Sequence, residues 1–339
     1  MRAVLFEQPG KVSLAEFTDP DPPAGWVRIR IHAAAICMTD FELLRGRHMV
    51  EYPLTPGHEY CGVVDRVGSS PDEAWLGRKV IADNEISCLK CGFCRRGEWR
   101  RCREYRQIGF GPSGGYAEYV LAPVYNLHPL PDAISFEQGA LLEPLGVGIA
   151  VGSIAGVRLG STATILGVGP IGLNCLAVLK ASGARRILCL DKQPKRLALA
   201  KAWGASEVTQ DPEHLKELTN SLHPDGTDIV IEASGHTPFV SLGINLTRFG
   251  GTLVLAGYCK FEALPLAPDL IQNPNRRVLG AGNNAGFIEP AAMAVGDSLM
   301  CTAGMITHRF RLEQYRQAFC DDQVAGDDYI KGVFVFDDL

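Results

Sequence analysis

The chain has 339 residues, 46% of them apolar, with 37 glycines, which suits about two domains with buried cores. A net charge of −5 and a pI near 5.9 argue against a nucleic-acid or anionic-membrane surface as its main business and leave small neutral or modestly polar molecules open. Residues 1–6 run into Pro9-Gly10 too soon for a secretory leader, so the 11 cysteines are expected in a reducing, cytoplasmic setting where thiols serve metal or core.

Short apolar or alternating runs broken by Pro and Gly, such as 27–31, 62–67 and 79–82, predict a β-rich, barrel-like domain from Met1 to about Leu130. Within it Cys37 closes an apolar run ahead of Thr39-Asp40, and Gly57-His58-Glu59 precedes Cys61-Gly62 and a further strand. A thiolate, an imidazole and a carboxylate with an exchangeable position are what a catalytic zinc needs, although a lone cysteine or histidine equally serves as core. Cys88-x2-Cys91-x2-Cys94-x7-Cys102 then spends four cysteines on one loop, the spacing of a tetrahedral structural zinc site. Two disulfides or four core thiols are the alternative, and adjacent x2 spacings suit a metal better. Lys90, Arg95, Arg96, Arg100, Arg101, Arg103 and Arg106 interleave with these cysteines. They read either as a zinc-ribbon nucleic-acid contact or as a solvated loop face, the latter preferred beside an acidic remainder.

Ser135-x-x-Gln138 is a capping-box pattern and Pro144 suits a first helical turn, so two short helices are predicted over 136–155 as a bridge to a second domain. The apolar stretch 140–157 contains Glu143, Pro144 and four glycines and does not read as a membrane span. Beyond Gly160, strands at 162–166, 186–191, 207–209, 228–233, 252–256 and 277–281 alternate with helices at 170–182, 194–203, 212–222 and 238–248. Six strands with helical crossovers make an α/β, doubly wound parallel sheet. The alternating strand at 332–336 looks like the first domain again, so that domain is expected to be discontinuous.

Gly167-Val168-Gly169-Pro170-Ile171-Gly172 follows the first of these strands and opens a helix, the context that turns G-x-G-x-x-G into a dinucleotide site. Gly167 makes the tight turn, Gly169 admits a pyrophosphate, and Gly172 packs helix on strand. Asp191 closes the next strand 19 residues after Gly172, where a carboxylate accepts from ribose hydroxyls and repels a 2′-phosphate. NAD is therefore expected over NADP, with Lys192 and Arg196 as the features favouring the phosphate. Gly235 and Gly257 end the fourth and fifth strands and are expected to flank the nicotinamide half.

Together these residues resemble the zinc-dependent medium-chain dehydrogenase/reductase family over nearly the whole chain. The motifs are Gly57-His58-Glu59-x2-Gly62 followed by Val67-Gly68, the four-cysteine spacing, and Gly114-Gly115-Tyr116-Ala117-Glu118-Tyr119. The resemblance implies a discontinuous GroES-like catalytic domain (1–146 and 285–339) and a Rossmann domain (147–284). It also implies two zinc ions per chain and a homodimer or homotetramer with neither nucleic-acid nor membrane partner. Cys37, His58 and Glu59 become the expected catalytic ligands. Glu143, in Glu143-Pro144-Leu145, sides with polyol and threonine dehydrogenases over simple alcohol dehydrogenases; it either ligates or hydrogen-bonds metal-held water. As an ordinary residue it would be a helix N-terminal acid favoured by the macrodipole.

The implied reaction is Lewis-acid activation of a small secondary alcohol (a polyol, cyclitol or sugar alcohol), with hydride passing to nicotinamide C4 and Thr39 as first acceptor of the proton. Oxidation of L-threonine or another amino alcohol is the nearest alternative, and a noncatalytic nucleotide-sensing or nucleic-acid-binding zinc protein the more distant one. Three positions depart from the family's pattern: Met38 replaces glycine, Glu42 replaces a relay histidine and reads as a surface charge, and 282–284 reads Gly-Asn-Asn where sorbitol-type members carry arginine. Cys61, Cys175, Cys189, Cys259, Cys301 and Cys320 are expected as small core residues.

Overall fold

β1 (Arg2–Gln8) and β2 (Lys11–Glu16) form an antiparallel hairpin at the start of the structure, a computed structural model that describes residues 1–283, 286–319, 326 and 328–336. β3 (Trp26–Ala35) carries the long buried run of the first domain and ends in Ala33-Ala34-Ala35, all fully buried. The chain then turns into α1 (Met38–Leu44), returns in β4 (Glu59–Val67) and continues through β5 (Lys79–Ala82). A two-stranded ribbon, β6 (Glu85–Ile86) with β7 (Arg106–Gln107), closes the base of the loop that bears the four clustered cysteines. β8 (Tyr119–Pro123), β9 (Leu127–Pro129), α2 (Phe136–Ala140) and α3 (Leu142–Ala155) follow. Ser135 caps α2 reciprocally with Gln138, as the motif predicts.

The second domain opens with β10 (Thr162–Leu166), whose residues are all buried, as expected for a central parallel strand covered on both faces. It continues through α4 (Pro170–Ala181), β11 (Arg186–Leu190), α5 (Pro194–Ala202), β12 (Glu207–Thr209) and α6 (Pro212–Leu222). β13 (Thr227–Glu232), α7 (Thr237–Leu246), β14 (Thr247–Leu255), α8 (Asp269–Gln272), β15 (Arg277–Gly280) and α9 (Ile288–Gly296) complete it. All pairings are parallel, in the order β12-β11-β10-β13-β14-β15, the 3-2-1-4-5-6 arrangement of a doubly wound dinucleotide-binding sheet. β14 starts five residues before the sequence-read strand at 252, because Arg248-Phe249-Gly250-Gly251 looks like a turn and pairs through a bulge at Thr227/Ile229.

β16 (Ile306–Phe310), α10 (Tyr315–Ala318) and β17 (Lys331–Val335) return to the first domain. Its seven-stranded sheet runs β16-β17-β3-β4-β5-β9, with β8 also on β3, around a core that includes Phe6, Ile29, Ile31, Phe41, Tyr60 and Phe334. The compact units are Met1–Glu143 with the segment from Ile306 onward, and Pro144–Met305. α9 stays with the second unit; the sequence reading put the return at 285 because this short apolar helix follows the last parallel strand without a clear start signal. No helix among the described residues is long and apolar enough to cross a membrane.

Candidate active site

β3 ends where α1 begins, so Cys37 sits at the turn between them, half-buried, with its N–H donating to Asp40 Oδ2 at 2.8 Å. Thr39 Oγ1 lies 3.5 Å from Cys37 Sγ. His58 and Glu59 enter β4, and one donor atom from each of Cys37, His58 and Glu59 lies within 4.8 Å of the others. Asp40 is fully buried; its Oδ1 lies 3.5 Å from His58 Nδ1, and its Oδ2 accepts from the Tyr116 hydroxyl at 2.5 Å. A carboxylate behind a ligand histidine fixes the ring and its tautomer, leaving the other nitrogen for a metal. Tyr116 stands inside a motif of the family resemblance and Asp40 directly follows Thr39, but the sequence alone assigns neither a role in the site.

Glu59, 1% exposed, meets Lys331 of β17, whose Nζ lies 2.8 Å from Oε1 and 2.7 Å from Oε2. Burial works against the lysine's charge, but Glu59 and the Cys37 thiol more than offset it and hold Lys331 above its ordinary range. Glu143 lies in the first turn of α3, outside the three-residue set, with Oε1 accepting from Asn84 Nδ2 at 3.3 Å. Burial and the neighbouring Glu59 carboxylate push the Glu143 carboxyl up to about 7.

The donor set of thiolate, imidazole and buried carboxylate fits a zinc ion with an open position. His58 must be neutral to ligate, yet although burial disfavours its charge, Asp40 and Cys37 raise it well above its usual range. Loading the site therefore displaces a proton from the ring. Zinc affinity here is expected to rise with pH through the neutral range, as read by competition with a chromophoric chelator. A flat profile would show that His58 does not carry the displaced proton.

Cys88, Cys91, Cys94 and Cys102 bring their sulfurs within 4.8 Å of one another, and none is in a disulfide. Backbone amides serve the cluster: Cys88 N–H donates to Cys102 Sγ at 3.2 Å, Cys91 N–H to Cys88 Sγ at 3.4 Å, and Glu104 N–H to Cys102 Sγ at 3.3 Å. Such donors favour thiolates; they lower Cys91 and Cys102, while burial and adjacent thiols raise Cys94. Four cysteine sulfurs with amide donors fit the closed tetrahedral set of a structural zinc. Around them Arg96 and Arg101 pair with Glu98, Arg100 with Glu85, and Lys90 with Glu104, so much of the basic run is neutralised on its own loop.

In the second domain Gly167 has φ +91° and any Cβ there would meet Ser234, while a Cβ on Gly172 would lie 1.9 Å from Gly167 O. Both positions therefore demand glycine, and Gly169-Pro170 opens α4 with its N–H groups toward the loop. Asp191 ties this loop down: Oδ2 accepts from Val168 N–H at 2.8 Å and Oδ1 from Gln193 N–H at 2.9 Å, with Arg196 Nη1 3.9 Å away. Gly235 and Gly257 lie back to back, a Cβ on Gly257 falling 2.2 Å from Gly235 N. The buried Glu232 carboxylate accepts from Ser234 N–H at 2.8 Å and Gly235 N–H at 3.0 Å, shaping the turn that ends β13.

Residues 23–132 match the alcohol dehydrogenase GroES-like domain model and residues 170–290 the zinc-binding dehydrogenase model. The chain is 31% identical to the L-idonate 5-dehydrogenase of Vitis vinifera over 91% of its own length and 87% of that protein's. The chain belongs to the zinc-binding alcohol dehydrogenase family. It is also 27% identical to the sorbitol dehydrogenase of Bacillus subtilis, over 94% of this chain and 92% of that one. A zinc-binding dehydrogenase of Sinorhizobium meliloti solved with NADP superposes with a TM-score of 0.92 at 30% identity, covering 99% of both chains. An alcohol dehydrogenase of Escherichia coli solved with NADH gives 0.93 at 26% identity, also over 99% of both.

For a zinc-binding dehydrogenase, the surroundings of the ligand set are apolar on one side. Phe110 lies against His58 with ring centroids 5.1 Å apart, and it lines a surface depression of about 410 Å³ with Met49, Val50, Glu51 and Gly111. Met38 is half exposed beside Cys37. Glu42 is not the surface charge its position suggests: it is buried and paired with Arg45 at 2.8 Å and Arg47 at 3.4 Å. Among the remaining cysteines, Cys61, Cys175 and Cys189 are core, but Cys259 is half-buried and Cys301 exposed. Both of the latter follow loop or turn segments after elements end, where local apolarity does not report burial. Cys320 and Asn284 lie outside the described residues.

Proposed function

We propose that this chain oxidises a secondary alcohol of the polyol, cyclitol or sugar-alcohol type with NAD, using one zinc at Cys37, His58 and Glu59 and a second at the four-cysteine loop. The observation that carries this reading is the carboxylate character of the site: Glu59 stands within the ligand set and Glu143, in place of a second cysteine, stands beside it. When bound, zinc would supply Lewis acidity at the alcohol oxygen and the nicotinamide the hydride acceptor. The chain's own groups do the rest. Asp40 and Tyr116 hold His58, Thr39 at 3.5 Å from Cys37 Sγ takes the first proton, and Phe110 offers an apolar wall that limits water.

The names of the relatives, L-idonate 5-dehydrogenase and sorbitol dehydrogenase, support a polyhydroxylated substrate over a simple alcohol. NADH formation on a panel of sugar alcohols, inositols, aminocyclitols and L-threonine tests the proposal. Turnover is expected with a polyol or cyclitol and to be poorer with L-threonine; no oxidation of any panel member with either nicotinamide sinks it.

Asp191 supports NAD over NADP, because a fixed carboxylate facing a 2′-phosphate costs several kcal/mol. The expected preference in kcat/KM is about 30-fold or more. Asp191→Ser should shrink it to a few-fold by freeing Arg196 to meet the phosphate. Equal use of both cofactors by the parent protein would overturn the assignment.

A further inference from the structure

Asn84 is 1% exposed, in the two-residue link between β5 and β6, which the Asn126 side chain staples through the carbonyls of Asp83 and Glu85, each at 2.9 Å. Its Nδ2 donates to the His58 main-chain carbonyl at 3.0 Å and to Glu143 Oε1 at 3.3 Å, while Gln107 Nε2 donates to its Oδ1 at 3.1 Å. A main-chain carbonyl can only accept, so the amide has one sense: its NH2 group faces His58 and Glu143 and its oxygen faces Gln107. Both amide hydrogens and the amide oxygen are thus used within the protein. Gln107 ends β7 and Asn84 immediately precedes β6, so the amide sits at the mouth of the ribbon that closes the four-cysteine loop.

We infer that Asn84 is a positioning residue for the reaction: by cross-linking the His58 loop to Glu143 it sets where the Glu143 carboxylate stands relative to Cys37, His58 and Glu59, while the His58 carbonyl sets the sense of its amide and Gln107 holds the amide oxygen. The inference rests on the reading that Glu143 serves the metal site. It also gives the four-cysteine loop a second consequence, because the ribbon at its base carries the group that orients the acid.

Asn84→Asp keeps the shape but places an acceptor against two acceptors, and Asn84→Ala removes the link. Outer partners of metal sites typically contribute about 10- to 100-fold. Both variants are expected to lower kcat by that factor on the best alcohol of the panel, with KM for NAD unchanged within about twofold. In cobalt-loaded protein they are expected to shift the d–d absorption of the catalytic site. Gln107→Leu, farther from the ligands, should give a smaller change of the same kind and serves if the Asn84 variants do not fold.

The deciding measurement is a double-mutant cycle with Glu143→Ala. If Asn84 acts through Glu143, Asn84→Ala adds nothing to kcat or to the cobalt spectrum in the Glu143→Ala background. Additive losses, or wild-type kcat and spectrum in all three variants, would overturn the inference. If Glu143→Ala alone leaves kcat and the cobalt spectrum unchanged, it is the reading of Glu143 that has failed, a distinguishable result.

Discussion

Cys37→Ser is expected to cost one zinc per chain and about three orders of magnitude or more in kcat, while thermal stability stays near that of the parent. A serine hydroxyl replaces a soft thiolate that anchors the ion, and neutral hydroxyls are poor zinc ligands. The local fold should survive, because α1 begins at this position and serine is a preferred residue there. Cys94→Ser provides the contrast. Its sulfur belongs to a closed four-thiolate set whose metal contributes folding energy directly, so the zinc count again falls by one, but the principal loss is in thermal stability. Metal analysis with kcat and Tm on the two variants separates the roles. One zinc in the parent protein, or two in Cys37→Ser, would refute the two-site reading.

What could be read in the sequence was local. The six parallel strands and their crossovers follow from apolar period and turn chemistry, whereas crossover handedness leaves more than one strand order open, and the order β12-β11-β10-β13-β14-β15 is seen only in the structure. The four-cysteine loop and Gly167 to Gly172 are legible because their geometry is encoded within a few residues of one another. Gly172 illustrates why: only glycine fits where a Cβ would strike Gly167 O at 1.9 Å, so the motif is a steric requirement of one turn.

The site's support was not legible, because its pairings are long-range. Lys331 reaches Glu59 across 272 residues of chain. Its one sequence signal was a lysine heading an otherwise apolar strand, Lys331-Gly332-Val333-Phe334-Val335, and a buried lysine needs a buried anion. Asn84 gave no signal at all, an amide in the polar run Asp83-Asn84-Glu85 that resembles an exposed turn. Glu42 misled for the same reason: a charged residue in a short amphipathic helix looks solvated until Arg45 and Arg47 fold over it.

Removing the lysine partner of Glu59 is expected to lower stability markedly without touching a metal ligand. In chelator, Lys331→Met leaves a 1%-exposed carboxylate without its counter-charge, and breaking one side of a buried pair costs roughly 3–5 kcal/mol. At about 2–4 °C per kcal/mol for a domain of this size, Tm should fall by roughly 10 °C. With zinc present the ion supplies positive charge to the same carboxylate, so the fall should be half or less. Glu59→Gln in the Lys331→Met background should recover much of the loss in chelator, because a neutral amide no longer demands a cation. Differential scanning of the parent, Lys331→Met and the double variant, with and without zinc, reads all of this. Equal losses in chelator and zinc would mean that Glu59 faces Lys331 alone, and the catalytic metal would then need a ligand other than Glu59 beside Cys37 and His58.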